Sequence, residues 1–170
     1  MKIIITTIGV LCGALAMLFN PTPSSQTNII RKNGMEVIWA HQDDRVQFEL
    51  KAPTTGWVAI GFNEANQLKN TYLIMGRVAN NLATVKEHFV VEPGDYQPIE
   101  TFGVPVLVDA IEGLESEEGT VIRFSLPIEA IDAYRKSLEP GTHYSLLMAF
   151  SLEDDFQHHS VMRTQTTIQL

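Results

Sequence analysis

Two adjacent histidines, His158 and His159, stand in the stretch Asp154-Asp155-Phe156-Gln157-His158-His159-Ser160-Val161-Met162-Arg163-Thr164, between two apolar runs. Neutral imidazole is a ligand for haem iron, zinc or copper, and a thioether partner favours haem iron or Cu(I). Met75, Met148 and Met162 are the thioethers at hand, although Met75 and Met148 lie in apolar runs where methionine ordinarily fills a core. Neighbouring side chains of an extended strand point to opposite faces, so one imidazole is expected to meet a ligand and the other solvent. The same divergence weighs against a copper site gathered from His158, His159 and Met162. The competing role for either histidine is structural, a hydrogen bond to a backbone carbonyl or to a carboxylate such as Asp154. Trp39 and Trp57 divide the same way: a pocket tryptophan stacks on a sugar or a porphyrin, whereas a strand tryptophan buries its large area in the core.

Catalytic arrangements are absent from the sequence. It has no GxSxG elbow, HExxH pair, phosphate-binding P-loop or glycine-rich dinucleotide turn. The paired acids Asp43-Asp44, Glu117-Glu118 and Asp154-Asp155 read as solvated turns rather than acid/base pairs. The expectation is a non-enzymatic binding or electron-transfer module. Acids outnumber bases 20 to 12, for a formal charge of -8, and that balance speaks against nucleic acid, whose phosphates need a Lys/Arg footprint.

The elements that must position these residues come next. Residues 1–20 carry a basic start at Lys2, the apolar run Ile3–Leu11 and a small-x-small site at Ala14-Leu15-Ala16, the pattern of an export signal, with an uncleaved membrane anchor as the alternative. A secreted or periplasmic location follows as an expectation. The single cysteine, Cys12, lies inside that segment, so the remaining chain has no disulfide or thiolate chemistry. Residues 21–33, rich in proline and polar residues at their start, read as a linker, and residues 34–170 as one domain.

Within that domain, Val46-Gln47-Phe48-Glu49-Leu50-Lys51 alternates apolar and polar residues with the period of a half-buried strand. Trp57–Phe62, Tyr72–Val78, Ala83–Val91, Val104–Ile111, Thr120–Leu126, Tyr144–Ser151 and Val161–Leu170 are further strands. They are separated by Pro53-Thr54-Thr55-Gly56, Asn80-Asn81, Pro93-Gly94-Asp95 and Glu117-Glu118-Gly119. One helix is expected over 128–138, where Ile128, Ile131, Tyr134 and Leu138 recur at spacings of three or four between Pro127 and Pro140-Gly141. The fold class is therefore all-β, an antiparallel Ig-like sandwich of about 9–11 strands with one short helix.

Pro53-Thr54-Thr55-Gly56-Trp57-Val58-Ala59-Ile60-Gly61-Phe62-Asn63 resembles the GWxAxGF strand of the DOMON superfamily, exported β-sandwich domains found in relatives of dopamine β-monooxygenase and cellobiose dehydrogenase. Met75-Gly76-Arg77-Val78, the run Gly119–Ser125, the strand Ser145–Phe150 and a closing His-x3-Arg follow the same layout. The resemblance spans roughly 34–170. It implies a ligand-binding module, with b-type haem and electron transfer to a redox partner protein as the first specific reading. His159 maps onto the axial histidine and Arg163 onto the arginine that closes the motif, with His158 as an additional imidazole. Arg163 is then a partner for a haem propionate, and Trp57 and Phe62 belong to the pocket or the core. The family's haem-binding methionine falls where this chain has Leu68, which cannot ligate iron, leaving Met75 as the substitute. Binding of a sugar or other small molecule, using Tyr96 or Phe102, is the second reading, and a protein-interaction domain the third.

Overall fold

The computed structural model describes residues 26–170. The expected export segment, and the first part of the linker, lie outside the described residues. Among the described residues eleven strands occur, in the order β1 (Asn28–Lys32), β2 (Met35–Gln42), β3 (Arg45–Ala52), β4 (Val58–Asn63), β5 (Tyr72–Ala79), β6 (Leu82–Glu92), β7 (Asp95–Pro98), β8 (Asp109–Ser116), β9 (Gly119–Pro127), β10 (His143–Phe150) and β11 (Met162–Gln169). They form two antiparallel sheets, β1-β2-β3-β9-β8 and β11-β10-β4-β5-β6-β7.

The alternation in β3 does what its period requires: Val46, Phe48 and Leu50 are buried, while Gln47, Glu49 and Lys51 are only half-buried. Between the sheets, Phe48 stacks on Phe124 of β9 with centroids 5.5 Å apart and meets Phe62 of β4 at 5.7 Å. Phe62 continues edge-on to Tyr144 of β10 at 5.8 Å, so offset and tilted aromatic contacts run across the core. Asn80 and Asn81 both take positive φ, 53° and 62°, the backbone a two-residue hairpin needs between β5 and β6.

The structure corrects four boundaries. β1 lies inside the stretch read as linker, so the sheet starts before residue 34. The short strand β7 was not foreseen. In the segment read as strand Val104–Ile111, residues 104–108 are irregular and pairing begins at Asp109. The expected helix over 128–138 is a series of bends, and the one helical turn among the described residues is 3-10, at Ile99–Phe102.

The reason the helix fails is a buried cluster around Glu87 of β6. Its carboxylate accepts from the Tyr72 hydroxyl at 2.6 Å, from Arg135 Nε at 2.9 Å and from the backbone N–H groups of Leu107 and Val108. Arg135 also reaches Asp132 and the Pro105 carbonyl. Docking Arg135 into this cluster leaves Ile131 59% exposed while Leu138 is fully buried, a pattern no single helical face produces. Burial and the neighbouring Glu87 carboxylate push the Tyr72 hydroxyl well above its ordinary pKa.

Candidate functional site

Strand β4 is buried on both faces. Val58, Ile60 and Phe62 belong to the core between the sheets. Trp57, just before the strand, and Ala59 face the other way, into a second apolar cluster with Leu73, Met75, Val90, Leu147 and Ala149. Register explains the cluster's shape. Ala59 pairs with Met75 on one side and Ala149 on the other, and Ala149 pairs with Arg163. The row Arg163–Ala149–Ala59–Met75 thus crosses four strands with its two smallest side chains in the middle, and the sheet is hollow there. The result is a cleft of ≈ 190 Å³ lined by these residues together with Leu68, Tyr96 and the stretch Gln157–Ser160.

The loop between β10 and β11 carries the polar wall, and β4 holds its root. Ser151 N–H donates to the Trp57 carbonyl at 2.9 Å and Trp57 N–H to the Glu153 carbonyl at 3.1 Å. The Thr54 hydroxyl donates to the Ser151 carbonyl and accepts from Gly56 N–H. A Cβ on Gly56 would stand 2.5 Å from Glu153 N and 2.6 Å from both the Leu152 carbonyl carbon and the Ser151 oxygen, so only glycine permits this approach. From that root the fully buried Ser151 hydroxyl lies 3.2 Å from His158 Nδ1 and donates to the His159 carbonyl at 3.0 Å.

Further along the loop, Phe156 is the anchor. The Arg77 guanidinium sits 5.0 Å from its ring centroid, a cation–π contact, and donates to the Asp154 carbonyl at 2.7 Å. Tyr96 donates its hydroxyl to the Phe156 carbonyl. His88, 3% exposed, meets Tyr96 and Phe156 edge-on at 5.6 and 6.1 Å. Burial disfavours its charged form and lowers its pKa to about 4. Sequence reading missed His88; the available signal was an imidazole inside the apolar strand Ala83–Val91, where a neutral, buried side chain is the expected state.

Four buried polar atoms around this loop have no protein partner: Trp57 Nε1, Arg77 Nε, His88 Nδ1 and Asp154 Oδ1. Buried donors ordinarily find an acceptor. Trp57 borders the cleft, with its indole Nε1 buried and unpartnered.

Trp57, Met75, His158, His159 and Arg163, all singled out from sequence, border this one cleft. Two expectations change. Both histidines border the cleft, because β11 begins only at Met162 and the strand rule of opposite faces does not govern 158–159. Met75 is on the cleft face rather than in the core, whereas Met148 and Met162 pack against the inner core. A copper site from His158, His159 and Met162 is therefore split between two faces. Phe62 and Trp39 are core residues. Leu68 stands on the rim. Of the two aromatics proposed for sugar stacking, Tyr96 borders the cleft, while Phe102 stacks on Tyr134 at 4.3 Å. No group of three or more His, Cys, Asp or Glu side chains that could hold a metal ion occurs among the described residues. The acids Glu117 and Glu118 form the exposed β8–β9 turn.

The fold is similar to the crystal structure of the cytochrome b domain of pyranose dehydrogenase from Coprinopsis cinerea. The TM-score is 0.60 with 9% sequence identity, covering 83% of this chain and 80% of that one, a likeness of fold alone. No curated protein sequence matches the chain. Residues 25–151 match the sequence pattern of the DOMON domain. They hold the Gly-Trp strand and the Ser151 root of the histidine loop, and on that match the chain belongs to the DOMON domain family.

Proposed function

We propose that this protein is an exported ligand-binding DOMON module whose cleft takes a b-type haem and passes electrons to a redox partner protein, without catalysis of its own. The observation that carries the reading is that two histidines, His158 and His159, and Met75 border a single cleft with an apolar floor. Imidazole and thioether together are a donor set for haem iron. The exposed Arg163 at the edge of the same cleft supports a propionate. Bound haem would supply one-electron redox chemistry. The residues of this chain would hold it, exclude water from one side and set its electrostatic surroundings.

The cleft volume of ≈ 190 Å³ is below the roughly 300 Å³ at the low end of small-molecule sites. A tetrapyrrole would thus remain partly outside it, a disposition suited to electron exchange with a partner. The titrating test is an absorption spectrum of protein produced with haem supplied. A Soret band is expected in the wild type, lost in the double variant His158→Ala/His159→Ala and retained with an altered reduced spectrum in Met75→Leu. Protein that stays colourless after haem reconstitution would overturn the reading.

A further inference from the structure

We infer that Ser151 is a positioning residue that holds His158 in its Nδ1–H tautomer, so that His158, and not His159, offers the cleft a ligating Nε2. The assignment follows from counting protons. The Ser151 hydroxyl has one proton and two lone pairs. The His159 carbonyl, 3.0 Å away, can only accept, and it takes that proton. Glu153 N–H donates to the same oxygen at 3.2 Å and fills one lone pair. The remaining contact, at 3.2 Å, is to His158 Nδ1, and it is satisfied only if that nitrogen carries a hydrogen and donates.

A neutral imidazole protonated at Nδ1 has its lone pair on Nε2, and a hydrogen bond from the second ring nitrogen is how ligating histidines are oriented and made more basic. His158 is held at its backbone as well, since its N–H donates to the Asp155 carbonyl at 2.9 Å. The ring of His159 makes no hydrogen bond to the described residues, and nothing there fixes its tautomer. Ser151 itself is fully buried, and its carbonyl and N–H are bonded to Thr54 and Trp57. The family motif, by contrast, maps the axial ligand onto His159, so geometry and motif spacing give different answers.

The ligand assignment rests on the haem reading, whereas the tautomer does not, and the two are tested separately. In protein without haem, ¹⁵N-edited NMR of the imidazoles near neutral pH should show His158 with a pyrrole-type Nδ1 and a pyridine-type Nε2, and a mixture of tautomers in Ser151→Ala. Circular dichroism verifies that Ser151→Ala is folded; if it is not, the wild-type tautomer alone decides. A wild-type His158 protonated at Nε2, or a folded Ser151→Ala with an unchanged His158 spectrum, would overturn the positioning role whatever haem does. With haem, the Soret band should be lost in His158→Ala and kept in His159→Ala. The reverse result would overturn the ligand assignment, and a wild type with no Soret band would overturn the haem reading while the NMR result still decides the tautomer.

Discussion

The Arg135 guanidinium and the Glu87 carboxylate form an ion pair at 2.9 Å with side chains 2% and 0% exposed. Around it, two backbone N–H groups from the stretch before β8 and the Tyr72 hydroxyl complete the carboxylate's shell. The pair fastens two irregular segments, 103–108 and 128–142, to β6 of the six-stranded sheet. A buried pair of this kind adds little net stability over an apolar substitute, yet removing one partner strands the other charge.

Glu87→Ala is therefore expected to lower unfolding free energy by about 3–5 kcal/mol, measured from urea denaturation. The double replacement Glu87→Leu/Arg135→Met should be far less damaging than either single change. A single variant that unfolds at the wild-type midpoint would show that the segments are held by something else.

Acid should loosen the wall of the cleft through His88. Its pKa is about 4 in the folded chain against an ordinary 6.5. The folded state therefore keeps His88 neutral while the unfolded chain takes up a proton. The stabilising contribution is complete above pH 6.5, falls as pH drops from about 6.5 to about 4, and changes no further below that; the loss amounts to roughly 3 kcal/mol at most. Unfolding curves of His88→Phe across this interval should lack that component, and a parallel pH slope in the two proteins would contradict the assignment.

Gly56→Ala tests the root of the histidine loop. The added methyl meets three backbone atoms of 151–153 at 2.5–2.6 Å, and none of them is a flexible side-chain end. A destabilisation of about 2 kcal/mol or more is expected, in the range of overpacked sites, together with loss of the His158 NMR signature.

Ala149→Phe should fill the cleft from its floor. Ala149 lies on the outer face between Ala59 and Arg163, so the larger ring projects into open volume rather than into the core. Ligand affinity is expected to fall roughly tenfold or more, equivalent to at least about 1.4 kcal/mol, with the unfolding midpoint nearly unchanged. Isothermal titration with haem, beside a denaturation curve, measures both.

Much of the sandwich was legible because one rule governs it: a strand with one dry face alternates, as in β3. Where that rule loses force, sequence reading lost its hold. β4 and most of β5 are buried on both sides, so nothing in the pattern distinguished Met75 on the cleft face from Ile74 in the core. The spacing of Ile128, Ile131, Tyr134 and Leu138 imitates a helix, but Arg135, a residue that pattern reading sends to solvent, is the one the fold buries. β1 was readable and overlooked: Asn33-Gly34, with φ of 50° and 83°, is a strong hairpin signal that places a strand before it. For the cleft, residue identities were legible while the loop's geometry was not. It depends on Ser151, a small polar residue whose hydroxyl meets one ring nitrogen and two backbone groups of the irregular stretch that follows it.

The two-sided burial of β4 has a consequence for how this protein can change. Residue parity along the strand separates two properties: even positions, Val58, Ile60 and Phe62, set the core, and the odd positions Trp57, Ala59 and Gly61 face outward. Within the odd set only Ala59 and Trp57 border the cleft, whereas a Cβ on Gly61 would stand 2.5 Å from Thr71 Cγ2. A library confined to position 59 would therefore vary the floor of the cleft while the inner core keeps its residues, and drift at the even positions would act first on the packing between the sheets.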